Sequence, residues 1–271
     1  MLIDTHCHLN SPKFSFQRNQ IAKIAFDLGI SKILIPSLKR DDFLSIKRIA
    51  KNIKGMVYAL GIHPLYVKFS TVEDLNLLDQ SINKAILDPC FVAIGEIGLD
   101  FFGYENSILE NIKKQEYFYL EQLKLAGKYK LPVILHTRKS QDRLLKYIRQ
   151  NQSSLSGGIV HAFNGSLQQA HHFIDQGFAL GFGGMVTYNR STCIRKYASQ
   201  LKLENIVLET DAPDGIPSWL FGQNKINEPS ELVKIAEVIA QLRDISFEEV
   251  SFETSFNAMR VIPRINLNSI K

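Results

Sequence analysis

The sequence predicts an α/β fold, a single (β/α)8 TIM barrel, on three observations. Short apolar runs alternate with longer amphipathic stretches about eight times. The chain has 271 residues, little more than the ~250 such a barrel uses. No stretch rich in Pro, Gly or Ser divides it and no internal repeat is visible, so residues 1–271 are read as one domain. A doubly wound open sheet is the competing arrangement. It requires a glycine-rich phosphate loop after the first strand, and Asp4-Thr5-His6-Cys7-His8 stands there instead.

The first strand is placed at 2–4, followed by a helix over 17–28 with Ile21, Ile24, Ala25 and Leu28 on one face and Gly29 as its stop. A second strand at 33–35 leads into a helix over 41–51, N-capped by Asp41, with Leu44, Ile46 and Ile49 as its apolar positions. Strands three and four fall at 56–60 and 91–94. A long helix over 110–128 keeps Lys and Glu outside and Tyr117, Leu120, Leu123 and Leu125 inside. Strands five and six follow at 133–135 and 158–160, and the next helix carries His171 and His172 and ends at Gly177. Strands seven and eight lie at 178–180 and 206–208. Helices over 228–243 and 247–259, the second capped by Ser246, close the chain. Each strand is brief, apolar and bounded by Gly, Pro, Lys or Asn.

Composition excludes several classes. A 45% hydrophobic content excludes a disordered chain, and no run approaches the ~18 apolar residues of a membrane span. Asp4, His6 and His8 fall where a signal peptide would need its apolar core. Three cysteines, Cys7, Cys90 and Cys193, are dispersed and odd in number, which argues against a disulfide framework and for a reducing, cytoplasmic setting. A net charge of +5 permits an anionic partner without demanding one.

The polar residues carry more information. Barrel enzymes place their reactive groups at the C-terminal ends of the strands. On the strand assignment above, His6 and His8 end strand one, His63 follows strand three, Glu96 ends strand four, His136 strand five, His161 strand six and Asp211 strand eight. Five of the seven histidines and two acids thus share one rim, a pattern pointing to a metal or acid–base site. His6 and His8, two apart on an extended strand, point the same way and can share a cation, while Cys7 points to the opposite face. Imidazoles and carboxylates without thiolate suit Zn, Mn, Fe or, less readily, Mg. Six candidate ligands, His6, His8, Glu96, His136, His161 and Asp211, exceed the needs of one tetrahedral ion. They suit two divalent ions ~3.5–4 Å apart, with glycine-flanked Glu96 as the bridge. Glu209, two residues before Asp211, is either an orienting partner for a histidine or a packed polar residue.

These segments resemble the TatD family of metal-dependent deoxyribonucleases, within the amidohydrolase superfamily. The resemblance runs through Met1-Leu2-Ile3-Asp4-Thr5-His6-Cys7-His8-Leu9, Gly61-Ile62-His63-Pro64, Gly95-Glu96-Ile97-Gly98-Leu99-Asp100, Leu135-His136-Thr137-Arg138, Val160-His161-Ala162-Phe163-Asn164-Gly165 and Glu209-Thr210-Asp211-Ala212-Pro213, and covers essentially the whole chain. It implies a (β/α)8 barrel of the metal-dependent hydrolase type that cleaves phosphodiesters of DNA. By the family's pattern His6 and His8 hold one metal, Glu96 bridges, His136 and His161 hold the other, Asp211 is ligand and base, and His63 sits near the substrate. Phe101, Ala162 and Asn164 depart from the commonest residues there, and none is a proposed ligand. No lysine lies in 91–100 to serve as a carboxylated bridge, which favours this branch over phosphotriesterase-like relatives.

The mechanism expected is attack of metal-activated water, with Asp211 taking the proton and His63 and Arg138 neutralising phosphate charge. Lys39, Arg40, Lys139 and Arg190 follow strands, and Phe101, Phe102, Tyr104, Trp219 and Phe221 flank the rim, where bases could stack. Solvated surface is the commoner role for such residues. The alternative activity is hydrolysis of another ester or amide by the same centre, such as deacylation of aminoacyl-tRNA. A retired barrel that only binds nucleic acid would have lost ligands, and all six are present.

Overall fold

Leu2–Asp4 (β1) opens a sheet of eight parallel strands whose spatial order equals their chain order. The others are Ile30–Pro36 (β2), Met56–Leu60 (β3), Phe91–Asp100 (β4), Val133–Arg138 (β5), Gly158–Val160 (β6), Phe178–Phe182 (β7) and Ile206–Leu208 (β8). This computed structural model of the chain describes residues 1–103 and 105–269; Tyr104, named above at the rim, lies outside them. The helices are Arg18–Asp27 (α1), Asp42–Asn52 (α2), Pro64–Val67 (α3), Val72–Ala85 (α4), Leu109–Tyr129 (α5), Gln141–Gln150 (α6), Leu167–Asp175 (α7), Thr192–Gln200 (α8), Leu232–Arg243 (α9) and Phe247–Val261 (α10). Across the seam between β8 and β1, Thr5 donates its N–H to the Leu208 carbonyl at 3.0 Å and Asp211 to the His6 carbonyl at 2.8 Å. The ring of strands is thereby nearly closed, the TIM-barrel architecture.

Two apolar layers follow from the strand period of two. One fills the barrel: Ile3, Leu34, Val57, Ile134, Ile159, Ala179 and Val207 point inward, and Ala258, Val261, Ile262 and Ile265 plug the bottom. The other lies between strands and helices, and Cys7 belongs to it. With the bottom plugged, the barrel interior opens at its C-terminal mouth. Stepping two residues up from Ile134, Ile159 and Val207 reaches His136, His161 and Glu209, so the inward columns end in the polar rim.

Several elements differ from the sequence reading. β2, β4 and β5 run further, so Glu96 and His136 lie within strands rather than at their ends. On α5 the buried face is Gln115, Phe118, Tyr119, Gln122, Leu123 and Ala126, and Tyr117 is exposed. Ile24 and Leu28 of α1 and Leu44 of α2 also face solvent, because Ala22 and Phe43 bring a neighbouring stripe against the sheet. Asp41 holds the N-cap position of α2 but makes no side-chain cap bond; Asp42, the first helical residue, instead ties down the incoming loop, its Oδ2 accepting from Leu38 and Lys39 at 3.0 and 3.1 Å. Ser246 caps α10 through Glu249, and Gly29 and Gly177 take the left-handed conformation expected past a helix end. Among the described residues no helix is long and apolar enough to cross a membrane.

Candidate metal centre

Glu96 is brought to the centre by an irregularity in β4. The β4–β5 register steps from Ile94↔Val133 to Ile97↔Leu135, one residue more on β4 than on β5, as in a bulge that re-aims a side chain. Gly95 and Gly98 allow it: a Cβ at Gly95 would press on Ile134 at 2.6 Å, and one at Gly98 would run into the His136 carbonyl. The buried Glu96 carboxylate then meets four imidazoles. Its Oε2 lies 3.1 Å from Nε2 of His6 and 3.7 Å from Nε2 of His8. Its Oε1 lies 3.0 Å from Nδ1 of His136 and 3.5 Å from Nε2 of His63.

Asp211 faces the same point from the β8 side. Its Oδ1 is 3.8, 3.6 and 3.6 Å from the Nε2 atoms of His6, His8 and His161. The His161 ring stacks on His6 with centroids 3.5 Å apart. All six sequence-predicted ligands and His63 thus converge. Their ligand atoms form three overlapping sets: His6, His8 and Glu96; His6, His161 and Asp211; His63, Glu96 and His136. By distance His161 stands with His6 and Asp211 rather than with His136. A cavity of about 610 Å³ opens over the group, lined also by Lys13, Lys39, Tyr66 and Arg138. A larger cavity, about 730 Å³, lies beside Lys32, Lys54 and Gly55 and carries none of these ligands. Arg138 lies over the exposed Phe102 ring at 3.7 Å, while His171 and His172 sit on α7 away from the rim.

The electrostatics suit cations. Burial drives the His6 and His8 imidazoliums down, His8 to about 4, so both rings are neutral near pH 7. Their Nε2 atoms are 3.2 Å apart, and two lone pairs so placed repel unless a proton or a cation lies between them. Burial would raise Glu96, but electrostatic attraction to the His6 and His63 rings and hydrogen bonds from His136 and His6 hold it well below the usual carboxylate range. Burial raises Asp211 to about 7, helped by Glu96 and Glu209 and opposed by His161. Burial opposes the His161 and His136 charges, but the Glu209, Asp211 and Asp100 carboxylates outweigh it and raise both, His161 to about 10. Imidazoles and carboxylates, without thiolate, match the donor set of Zn or Mn.

A second layer of side chains orients the first. His136 Nε2 lies 3.1 Å from Asp100 Oδ2, and Asp100 was not singled out in the sequence. His161 Nδ1 lies 3.0 Å from Glu209 Oε2, and Glu209 Oε1 accepts the Ala162 N–H at 2.6 Å. Glu209 is therefore the orienting partner, and Gly181 leaves room for it, since a Cβ there would collide with its carboxylate. Buried Asp4 accepts from Thr210 N–H, Thr210 Oγ1 and His6 N–H at 3.0, 2.6 and 3.2 Å, fastening β1 to the segment that carries Asp211. Buried Asn227 donates to the Thr210 and Asp214 carbonyls at 2.9 and 2.6 Å, holding the same loop from its far side.

Comparison with known proteins gives the family. The family described as TatD related DNase matches residues 3–263. The metal-dependent hydrolase YjjV of Escherichia coli K12 is 35% identical over 249 residues, 92% of this chain and 93% of that protein. A Danio rerio relative, tatdn3, named as a candidate deoxyribonuclease, is 28% identical across 98% of both chains. The crystal structure of the E. coli TatD homologue YjjV superposes with a TM-score of 0.90 at 34% identity, covering 97% of this chain and 98% of that one. With fold, centre and relatives in agreement, the chain belongs to the TatD family of metal-dependent hydrolases.

Proposed function

We propose that this chain, acting as one domain in the cytoplasm, is a deoxyribonuclease that cleaves phosphodiester bonds with two divalent cations. The observation that carries the reading is the division of labour at Glu96, whose two oxygens face different histidines. A carboxylate so placed is the expected bridge of a binuclear centre. His6 and His8 would hold one cation and His136 the other, with Asp211 within reach of His6, His8 and His161; His161, paired with His136 by the family's pattern, stands beside His6 and Asp211 here. The cations' contribution when bound is Lewis-acid activation of water and of the phosphoryl oxygens.

The chain's own groups supply the rest. Asp211, at the mouth beside His6, His8 and His161, would accept the proton of the attacking water. His63 Nδ1 accepts the Leu65 N–H at 3.1 Å, which puts the ring proton on Nε2, the nitrogen turned to the centre. That N–H can donate to a phosphoryl oxygen rather than bind a metal. Arg138, on the cavity wall, adds positive charge for the phosphate, and its stacking on Phe102 keeps the guanidinium over the mouth. Lys13 and Lys39 line the same mouth and favour an anionic polymer.

The test is a metal assay joined to a substrate panel. Metal-loaded protein is expected to hold two equivalents, turn over DNA and stop with EDTA. Less than one equivalent with EDTA-resistant activity would sink the binuclear reading, and turnover of aminoacyl-tRNA or phosphomonoesters in place of DNA would reassign the substrate.

A further inference from the structure

Where the strand ladders end around the centre, side chains take over the bonds a continuing strand would have made. Along a strand, the N–H and C=O of one residue point to one side and those of the next to the other. Just beyond β3, Gly61 turns both groups to the Ser37 hydroxyl, which accepts from its N–H at 2.7 Å and donates to its carbonyl at 2.8 Å. Ile62 faces the other side, where Gln122 closes the same pair. Its Oε1 accepts the Ile62 N–H at 2.7 Å and its Nε2 donates to the Ile62 carbonyl at 3.1 Å. At the end of β4, Phe101 donates its N–H to the Arg138 carbonyl of β5 at 2.9 Å, so Asp100 faces away from β5. Gln115 fills that place, accepting the Asp100 N–H at 2.9 Å and donating to its carbonyl at 3.1 Å.

Gln115 and Gln122 are seven residues apart on the buried face of α5, about two turns and ~10 Å along its axis. They are 3% and 1% exposed. A buried amide is costly to desolvate, so packing alone would be better served by an apolar side chain. What each amide holds differs. Asp100 stands behind the His136 ring, whose Nδ1 faces Glu96. Ile62 precedes His63, whose Nε2 faces Glu96 and whose Nδ1 is fixed by Leu65.

We propose that Gln115 and Gln122 are positioning residues by which one helix sets two separate parts of the centre. Gln115 fixes the His136 ring through Asp100, and with it the affinity for one cation. Gln122 fixes the His63 segment, and with it the handling of the phosphodiester. The inference rests on the reading that His136 is a ligand and His63 a substrate contact.

Gln115→Met and Gln122→Met, close in volume and unable to form either bond, are titrated as full-length metal-free protein with Mn²⁺. Turnover of bis(p-nitrophenyl) phosphate is followed at limiting and saturating Mn²⁺. Q115M is expected to bind one of two ions about 10–100-fold more weakly, as for other partners that orient a metal ligand, and to regain most of its kcat at saturating Mn²⁺. Q122M is expected to bind both ions within about twofold of wild type, yet to keep a raised KM at every Mn²⁺ concentration, since its defect lies in substrate contacts. Glutamines serving only the fold make the same bonds from the same helix and would shift both readouts alike. Equal changes in ion affinity, or wild-type affinity in Q115M, overturn the proposal. Should Q115M fail to fold, Gln115→Glu keeps the bond to the Asp100 N–H and loses the other; unchanged affinity for both ions there overturns the proposal too. Wild-type protein that binds fewer than two ions overturns the underlying reading and this inference together, and shows it without any substitution.

Discussion

Replacing Glu209 with Gln asks whether the charge of this residue, or only its shape, organises the centre. Glu209 is 1% exposed, with Oε1 on the Ala162 N–H and Oε2 3.0 Å from Nδ1 of His161. An ionised carboxylate only accepts, so the ring proton sits on Nδ1 and the Nε2 lone pair is left for a cation. A glutamine still bonded to Ala162 presents its NH₂ group to Nδ1. The proton then moves to Nε2 and that lone pair is lost. A charge-assisted hydrogen bond contributes about 1.5–3 kcal/mol, which is roughly 10–150-fold in an equilibrium constant. Glu209→Gln should therefore weaken one of two ions by about 10–100-fold while the barrel stays folded. Calorimetric titration with Zn²⁺ reads the affinity and ¹⁵N ring shifts read the tautomer. Both ions bound within twofold of wild type, with the proton still on Nδ1, would refute the reasoning. A pH effect accompanies it in the metal-free protein. Burial opposes the His161 charge, but Glu209 and Asp211 outweigh it and raise the ring to about 10. A raised histidine pKa stabilises fully below its unfolded value of ~6.5 and loses that contribution as pH climbs through the folded value. Metal-free wild type should thus lose Tm from pH 8.5 to 10, above the range in which Asp211 titrates, and the variant should lose less.

Three further outcomes are expected. Asp211→Asn should cost about 10²–10⁴ in turnover with the fold retained, because Asp211 sits at φ +56° and asparagine tolerates that conformation; near-wild-type kcat would remove its role as base. Gly98→Ala should lower stability, since φ is +142° and the new Cβ would meet the His136 carbonyl. Strain of about 1–3 kcal/mol plus crowding of similar size corresponds to a Tm loss of roughly 4–12 °C in a chain this long, and calorimetry showing under 2 °C would contradict it. Alkylation followed by peptide mapping should label exposed Cys193 first and Cys7 only after unfolding, because Cys7 is fully buried and burial pushes its thiol pKa up; early labelling of Cys7 would place it wrongly.

Much of the site was legible because strand geometry is local. His6 and His8 are two residues apart and share a side, and Cys7 between them joins the outer layer. Helix phase was less legible. Tyr117, Leu44, Ile24 and Leu28 are apolar enough to suggest a buried face, yet Phe118, Phe43 and Ala22 occupy it, because the sheet selects the stripe that fits its surface. Asp41 stands at the N-cap position as its place in the sequence suggests, yet the path of the loop from Leu38 gives the bonds to its neighbour Asp42 and leaves Asp41 without a cap bond.

The sequence alone carries the barrel and the candidate ligands at its mouth. Both follow from periods of two and 3.6 residues and from which side chains carry lone pairs, properties set by chain geometry within a few residues. Tertiary structure alone decided how those ligands are held. Asp100 behind His136, Glu209 behind His161, Asn227 under the Asp211 loop and the two glutamines of α5 join residues 13 to 60 positions apart. No periodicity records such pairings. Each exists because a buried polar group at the end of a ladder must find a partner, and the fold alone decides which side chain stands there.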